Sequence, residues 1–318
     1  MTQSAIVRWS NPKMILVATK LLEGSSFILH AINQAKLSKA KVLLVHVTSP
    51  SNMRTESRDE VQAIVPHFHA GSLMDKMDEM VEAFERAGVE CEPLFLRGLP
   101  EKQIPLLVKA RSVDRVIVSN RNMSGVSRLL EGSVAEALIA GLDVPVCVIG
   151  RRAHPEATRG APLRRILVAA SFEPVSQLLV GFASTLAEFN DAHLTLLHVL
   201  DSSTVSEQER EMSRFAARRR LFELIPKDAR HRHPPVGLVC EGDPAEIIAA
   251  ESRTTSQDLL ILGSPYPSVL SWLLGTSIVH RVIVESACPV ITIRPRGTSD
   301  DFLEVAAAEQ PVDSHEYA

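Results

Sequence analysis

The chain has 318 residues, of which 45% are hydrophobic and 23% are charged, and its formal net charge is -4. Since folded domains usually run to about 100–200 residues, this length predicts two domains. The slight acidic balance and the presence of only two Trp and two Tyr argue against a nucleic-acid partner, which needs a basic face or base-stacking aromatic side chains. No apolar run reaches the ~20 residues of a membrane span, and the N-terminus lacks a signal-peptide stretch, so a cytoplasmic protein without membrane contact is expected.

Five short apolar runs in the first half predict buried parallel strands, because continuous β-branched and aliphatic runs suit strands that are covered on both faces. They occupy residues 14–19, 42–48, 92–96, 115–119 and 145–149. A helix is predicted over residues 73–87, which Gly88 ends. Its buried face is expected to carry Met74, Met77, Val81 and Phe84.

Five similar runs follow in the second half, at residues 165–170, 194–200, 236–240, 258–262 and 289–293. A charged helix is predicted over residues 205–224, with Met212, Phe215 and Leu221 on its buried side. The second half therefore has the same alternation of strand and helix as the first.

The two halves are copies of one another. Ile15-Leu16-Val17-Ala18 matches Ile166-Leu167-Val168-Ala169 at an offset of 151, and Asp114 matches Asp258 at an offset of 144. The drop in offset places about eight extra residues between the second strand of the first copy and its glycine turn. Several such matches in the same order indicate an internal repeat.

Alternating strands and helices favour parallel sheets with helices on both faces. The fold class predicted is α/β, with two tandem doubly wound, Rossmann-like sheets of five parallel strands each. The predicted segments are an N-terminal extension (1–12), domain 1 (13–150), a linker rich in Pro and charge (151–162), domain 2 (163–296) and an acidic disordered tail (297–318).

The segment VSNRNMSGVSRLLEGSVAEALIAGLDVPVCVI at residues 118–149 resembles the C-terminal signature of universal stress proteins, and residues 262–293 resemble it again. The segments GLPEKQI at 98–104 and GDPAEI at 242–247 are similar to the glycine turn of that family. The resemblance implies a tandem member of the family. It further implies an ATP or ADP site at the carboxyl ends of the strands, with a loop G-x2-G-x9-G-[ST] and an Asp after the first strand on the adenine side.

The first copy departs from that loop. Ser119 and Asn122 stand at two glycine positions, whereas Gly132 and Ser133 are kept, and Lys20 stands at the Asp position. A Cβ at a close-approach glycine adds atoms where phosphate would lie, so the site is expected to be degenerate. Its candidate nucleotide-binding residues are Thr19, Lys20, His46, Ser119, Arg121, Asn122, Gly125, Gly132 and Ser133.

The second copy departs further, because Tyr266 between two prolines replaces a glycine and the spacing to Gly275 is one residue short. Its candidate residues are Ser171 at the Asp position, Gly263, Ser264, Gly275 and Thr276. Ser133 and Thr276 are helix N-caps in the simplest interpretation, and a phosphate contact is the additional claim.

Other chemistry-bearing residues have ordinary interpretations. His46 and His198 occupy equivalent places in the second strands, at the expected edge of each cleft. The pairs His67/His69 and His231/His233 lack a third metal ligand in sequence, so no metal is expected, and the four scattered cysteines suit buried positions.

No catalytic motif is present, so a non-enzyme is expected, with weak ATP hydrolysis as the exception left open. The leading hypothesis is a stress-response or regulatory protein that acts through contacts with an unidentified protein partner. The alternative is an ATP-binding switch that uses domain 1, and a redox or metal sensor is the third hypothesis. The resemblance also implies that the final strands of the two copies pair antiparallel as an intramolecular pseudo-dimer, and a further homodimer is expected to be compatible with that arrangement.

Overall fold

The computed structural model describes residues 3–21, 23–48, 70–120, 133–153, 163–200, 207–264 and 277–294. The helices within these ranges are α1 (Gln3–Ser10), α2 (Ser25–Ser38), α3 (Ala70–Arg86), α4 (Pro100–Ala110), α5 (Ser133–Gly141), α6 (Pro174–Asn190), α7 (Glu207–Glu223), α8 (Pro244–Thr254) and α9 (Ile278–Glu285). The strands are β1 (Met14–Ala18), β2 (Lys41–Thr48), β3 (Cys91–Arg97), β4 (Arg115–Asn120), β5 (Val146–Gly150), β6 (Arg165–Ala169), β7 (His193–Leu200), β8 (Val236–Glu241), β9 (Leu259–Gly263) and β10 (Val290–Ile293). Every predicted strand is present, with ends that shift by a residue or two.

The ten strands form one sheet in the order β3-β2-β1-β4-β5-β10-β9-β6-β7-β8. All neighbours within each half are parallel, and the two five-stranded halves join where β5 and β10 pair antiparallel, with Ile291 opposite Cys147. The pairing of the final strands is therefore the one that the family resemblance implied. It places the carboxyl ends of the strands of the two halves on opposite edges of the sheet.

Helices cover both faces of the sheet, as a doubly wound fold requires. One face packs against α1, α2, α3, α6 and α7, and the opposite face packs against α4, α5, α8 and α9. The strand residues alternate between the two cores: in β5, Cys147 belongs to the first and Val148 to the second. The apolar runs of the sequence are continuous because both faces are buried.

Repeat-equivalent aspartates start the first strand of each half. The Asp114 carboxylate accepts the backbone N–H groups of Lys13 and Met14, at 2.7 and 3.0 Å. Asp258 accepts those of Arg164 and Arg165, at 2.7 and 2.9 Å. Both copies therefore use an aspartate in the same way at the start of the first strand, and these two positions align one copy with the other.

Two helices present fewer apolar residues to the core than the sequence predicted. In α3, Met77 and Phe84 are buried as expected, whereas Met74 is 58% exposed. In α7, Leu221 is buried, but Met212 and Phe215 are 69% and 75% exposed, so their predicted burial is wrong. The helix α7 packs on β7 and β8 at the end of the sheet, where only a narrow stripe of the helix meets the core.

The N-terminal helix α1 bridges the two halves. Trp9 is 3% exposed and belongs to the buried cluster that also contains Phe27 of the first half and Phe182 of the second. Ser10 Oγ lies 3.4 Å from the Phe182 carbonyl oxygen, and it also donates to the carbonyl of Ile6 at 2.9 Å. The extension predicted from sequence is thus a structural element of the shared core.

Candidate functional site

A cleft opens at the carboxyl ends of β1 and β4 in the first half. β1 has β2 on one side and β4 on the other, so the direction in which successive strands are added to the sheet reverses here. Doubly wound sheets bind ligands at such a switch point. The described residues enclose about 70 Å³ there. They are Ala18, Thr19, Lys20, Glu23, Val45, His46, Val47, Pro100, Ile104, Val118, Ser119, Val134 and Ala135.

Four residues predicted from sequence meet in this cleft: Thr19, Lys20, His46 and Ser119. Residues 121–132, which follow β4, lie outside the described residues, and with them the predicted Arg121, Asn122, Gly125 and Gly132. Ser133 is the first residue of α5. The structure therefore brings the strand-end part of the predicted site together.

Glu23 is a cleft residue that sequence reasoning missed. Its Oε2 accepts the Thr19 hydroxyl at 2.6 Å, and its Oε1 accepts the backbone N–H of Lys20 at 2.9 Å. Thr19 Oγ1 in turn accepts the backbone N–H of Leu21 at 2.8 Å. These bonds hold a carboxylate at the rim of a cleft whose walls are largely apolar. The signal in the sequence is an acid three residues after Lys20, immediately before α2.

The histidines on the second strands hold equivalent positions. His46 Nδ1–H donates to the Thr19 carbonyl at 2.9 Å, and His198 Nδ1–H donates to the Ala170 carbonyl at 2.7 Å. Each bond fixes the tautomer, so the neutral ring keeps Nε2 as an acceptor. Burial lowers the pKa of His198, the backbone hydrogen bond to Ala170 partly opposes this effect, and the nearby Arg220 charge makes a further, smaller lowering contribution.

The second half differs at the corresponding strand ends. The backbone N–H of Ser171 donates to Ser176 Oγ at 3.1 Å, and the buried Ser264 donates its N–H to the carbonyl of Ile293. A Cβ on Gly263 would lie 3.0 Å from Leu179 Cδ1, so close helix packing is sufficient to explain this glycine. Gly275 and Thr276 lie outside the described residues.

The cysteines have the chemistry of buried thiols. Burial raises the pKa values of Cys147 and Cys288 to about 12, and that of Cys91 to about 12, and it raises the pKa of Cys240. The thiolate is the nucleophilic form, so these side chains are weakly reactive at neutral pH.

The described part of the chain holds no group of three or more side chains placed to ligate a metal. Of the two H-x-H pairs, His231 and His233 are described, and His67 and His69 are not. Within the same ranges, no helix is long and apolar enough to cross a membrane.

Two doubly wound halves joined in one sheet define a tandem α/β protein of the Rossmann-like class. The model of the universal stress protein family matches residues 12–150 and again residues 162–294. These matches cover most of the chain, which therefore belongs to the universal stress protein family, in a tandem form.

Universal stress proteins of other organisms match this chain at low sequence identity. A universal stress protein of Mycolicibacterium smegmatis is 24% identical over 299 residues, which cover 86% of this chain and 94% of that protein. One from Methanocaldococcus jannaschii is 28% identical over 123 residues, or 38% of this chain and 71% of the relative.

Solved structures show the same fold over nearly the whole length. A universal stress protein from Archaeoglobus fulgidus DSM 4304 has a TM-score of 0.63 at 20% identity, covering 88% of this chain and 96% of that one. A functionally unknown protein from Pseudomonas aeruginosa PAO1 has a TM-score of 0.62 at 16% identity, covering 95% of this chain and 99% of that one.

Proposed function

We propose that the protein is a cytoplasmic, non-enzymatic stress-response regulator whose first half binds one adenine nucleotide and which acts through contacts with a protein partner. The observation that carries the nucleotide part of the proposal is the switch-point cleft, which gathers Thr19, Lys20, His46 and Ser119. The family resemblance implies ATP at the carboxyl ends of the strands, which is where this cleft lies.

The cleft offers complementary groups for a nucleotide. The Glu23 carboxylate places two acceptor oxygens at the cleft, and such a group suits an amino group of a base. Val45, Val47 and Val118 offer an apolar surface for the ring, and Lys20 is an exposed cation at the rim. Lys20 stands at the position where the family has an Asp, and Glu23 supplies a carboxylate to the cleft in its place.

Binding without turnover is supported by the small number of carboxylates in the cleft. Glu23 is the one carboxylate among the described residues that line it. Phosphoryl transfer needs acidic side chains that hold a metal and a group that positions water. The alternative, a switch with weak hydrolysis, predicts phosphate release by the purified protein.

Sequence differences in the second half support one bound nucleotide per chain. Pro174 stands at the position equivalent to Glu23, and Ser171 stands at that of Lys20. At these two positions the second half therefore has neither the carboxylate nor the cation of the first.

Nucleotide content is the direct test. The protein is purified without added ligand and denatured, and the supernatant is analysed by ion-pair chromatography, with ATP titration calorimetry on a nucleotide-free sample. We expect about one nucleotide per chain and a single binding isotherm. An absence of both nucleotide and titration heat would contradict the proposal. Steady phosphate release above a no-protein control would favour the alternative.

A matched pair of variants locates the site. Lys20→Glu places a negative charge at the rim, and charges within ~8 Å interact at physiological salt, so ATP affinity should fall by about tenfold. Ser171→Glu makes the equivalent exposed change in the second half and should leave affinity unchanged. Equal effects of the two variants would show that the first half is not the site.

A further inference from the structure

A groove of about 590 Å³ lies in the second half, away from the switch point. It is at the amino ends of β6, β7 and β8, below the end of α8, on the face that α8 and α9 cover. Its lining residues are Arg165, His193, Thr195, Val236, Leu238, Thr254, Thr255, Ser256 and Gln257. Its volume is that of an ordinary small-molecule site.

The sheet register identifies the same place in the first half residue by residue. Met14 pairs with Lys41 and Leu43 with Glu92, just as Arg165 pairs with His193 and Thr195 with Val236. The residues after α4 and α8 also correspond, because Ser112 and Ser256 have φ values of 50° and 48°. Arg165, Thr195 and Gln257 are therefore the counterparts of Met14, Leu43 and Val113.

The first half closes this place with apolar packing and an ion pair. Leu43 and Val113 are each 1% exposed, in the core that covers this face. Arg111 and Glu92 pair across the surface beside them. The counterparts of Arg111 and Glu92 are Thr255 and Val236, which form no such pair.

Three apolar side chains are thus replaced by polar ones at the place where the second half is open. A packing defect alone would leave smaller apolar residues around a hole. Concerted replacement by a guanidinium, a hydroxyl and an amide instead supplies hydrogen-bonding groups that converge on one groove, which is the composition of a ligand site.

Gln257 gives the second, independent indication. Its side chain is buried, with 6% exposed, and its Nε2 donates to Thr255 Oγ1 at 2.8 Å. Its Oε1 is buried and has no hydrogen-bond partner among the described residues. Thr255 Oγ1 donates to the Glu251 carbonyl at 2.5 Å, which makes it an acceptor toward Gln257 and leaves Oε1 as the acceptor in need of a donor.

Arg165 supplies the charge of the groove. One of its guanidinium nitrogens, Nη1, donates to the Thr255 carbonyl at 3.3 Å, which holds the side chain against the end of α8. A guanidinium has five N–H donors in a planar fork that suits phosphate and carboxylate groups. Val236 and Leu238 form an apolar wall beside it.

We propose that this groove is a second ligand site, which binds a small hydroxylated organic anion of the sugar-phosphate type. The anionic group contacts Arg165, a hydroxyl group donates to Gln257 Oε1, and the carbon skeleton packs on Val236 and Leu238. This site is distinct from the nucleotide cleft, because it lies at the amino ends of the strands of the other half.

Calorimetric titration of the full chain with ribose 5-phosphate tests the proposal, in saturating ATP so that the first-half cleft is occupied. We expect one saturable site per chain, with inorganic phosphate and ribose each binding more weakly than the joined molecule. No saturable binding of ribose 5-phosphate, glucose 6-phosphate or 3-phosphoglycerate would overturn the proposal.

The repeat supplies the variants. Arg165→Met installs the first-half residue at an exposed position and should weaken binding by about tenfold or more, whereas Arg164→Met, the exposed neighbour outside the groove, should not. The double variant Thr195→Leu with Gln257→Val restores the first-half packing and should abolish binding, with a melting temperature at or above that of the wild type. If Arg165→Met binds as tightly as the wild type, the groove is not the site, whether or not the double variant folds.

Discussion

His30 is buried among charged and polar neighbours inside the first half. Its Nε2 lies 3.6 Å from the Sγ of Cys147, and the Arg115 guanidinium is fully buried nearby. Arg115 donates to the Trp9 carbonyl at 2.6 Å and to the Gln34 side chain. Burial, reinforced by the Arg115 charge, lowers the pKa of His30 from its ordinary 6.5 to about 4.

This pKa makes stability sensitive to acid. The unfolded chain takes up a proton on His30 below pH 6.5, whereas the folded chain does not until about pH 4. The contribution of the neutral imidazole is complete above pH 6.5 and is lost as the pH falls toward 4. Each pKa unit corresponds to about 1.4 kcal/mol, so the loss is on the order of 3 kcal/mol.

Replacing His30 with Leu should remove that component. Urea unfolding at pH 7.5 and at pH 4.5 measures it, because the wild type should lose more stability between the two values than His30→Leu does. Parallel losses in both proteins would show that carboxylates elsewhere account for the acid sensitivity.

The strand-end residues of the site were predictable and the others were not. Thr19, His46 and Ser119 follow from sequence, because residues at the ends of parallel strands meet at one edge of the sheet. Glu23 was missed because its role depends on a loop that turns back toward Thr19 and Lys20. The groove around Gln257 was missed because an isolated polar residue after a helix forms no recognisable sequence motif. The polar replacement is seen only when the strand register of the two halves aligns Gln257 with Val113.

At the scale of elements, strands were easier to predict than helix faces. The run Val42–Val45 is apolar at every position because the sheet is covered on both faces, so no choice of face is needed. A helix at the end of the sheet is harder, since α7 buries only Ala217 and Leu221 fully while Met212 and Phe215 satisfy the same helical spacing on the exposed side. The spacing of apolar residues indicates that one side of a helix faces the core, but it does not indicate how many residues on that side are buried.

The junction between the halves depends on a close approach of β5 and α9. A Cβ on Gly150 would lie 2.6 Å from the carbonyl oxygen of Ile283, a backbone atom that cannot move independently. Two polar contacts also cross this junction: a hydrogen bond from His280 Nδ1 of α9 to Glu136 Oε1 of α5, at 2.9 Å, and a salt bridge between Arg152 and Glu285.

Gly150→Ala should therefore destabilise the protein by about 1–3 kcal/mol through overpacking. Gly141→Ala, at the end of α5, is the matched control, because a Cβ there has no atom within 4 Å. It should be neutral or stabilising by up to about 1 kcal/mol. Denaturant midpoints measure both variants, and equal midpoints for Gly150→Ala and the wild type would show that the junction tolerates a Cβ.

At the scale of the whole molecule, the shared sheet and α1 couple the two halves. The strands β5 and β10 are buried along their lengths, and Trp9 of α1 lies in a core to which both halves contribute. Unfolding one half alone would expose these surfaces on the other.

Heat should consequently unfold the chain in one cooperative transition rather than domain by domain. Scanning calorimetry should give a single endotherm with equal calorimetric and van't Hoff enthalpies. Two resolved endotherms, or a calorimetric enthalpy about twice the van't Hoff value, would show that the halves unfold independently.

The β5–β10 seam also has a genetic consequence. In a dimer of identical chains, one codon change alters both sides of the two-fold axis, so a subunit cannot give up core packing without its partner doing the same. Here the seam lies within a single polypeptide, and each copy mutates alone. Met14, Leu43 and Val113 keep this place filled in the first copy, whereas Arg165, Thr195 and Gln257 line a groove in the second, so the two copies have diverged here within one molecule.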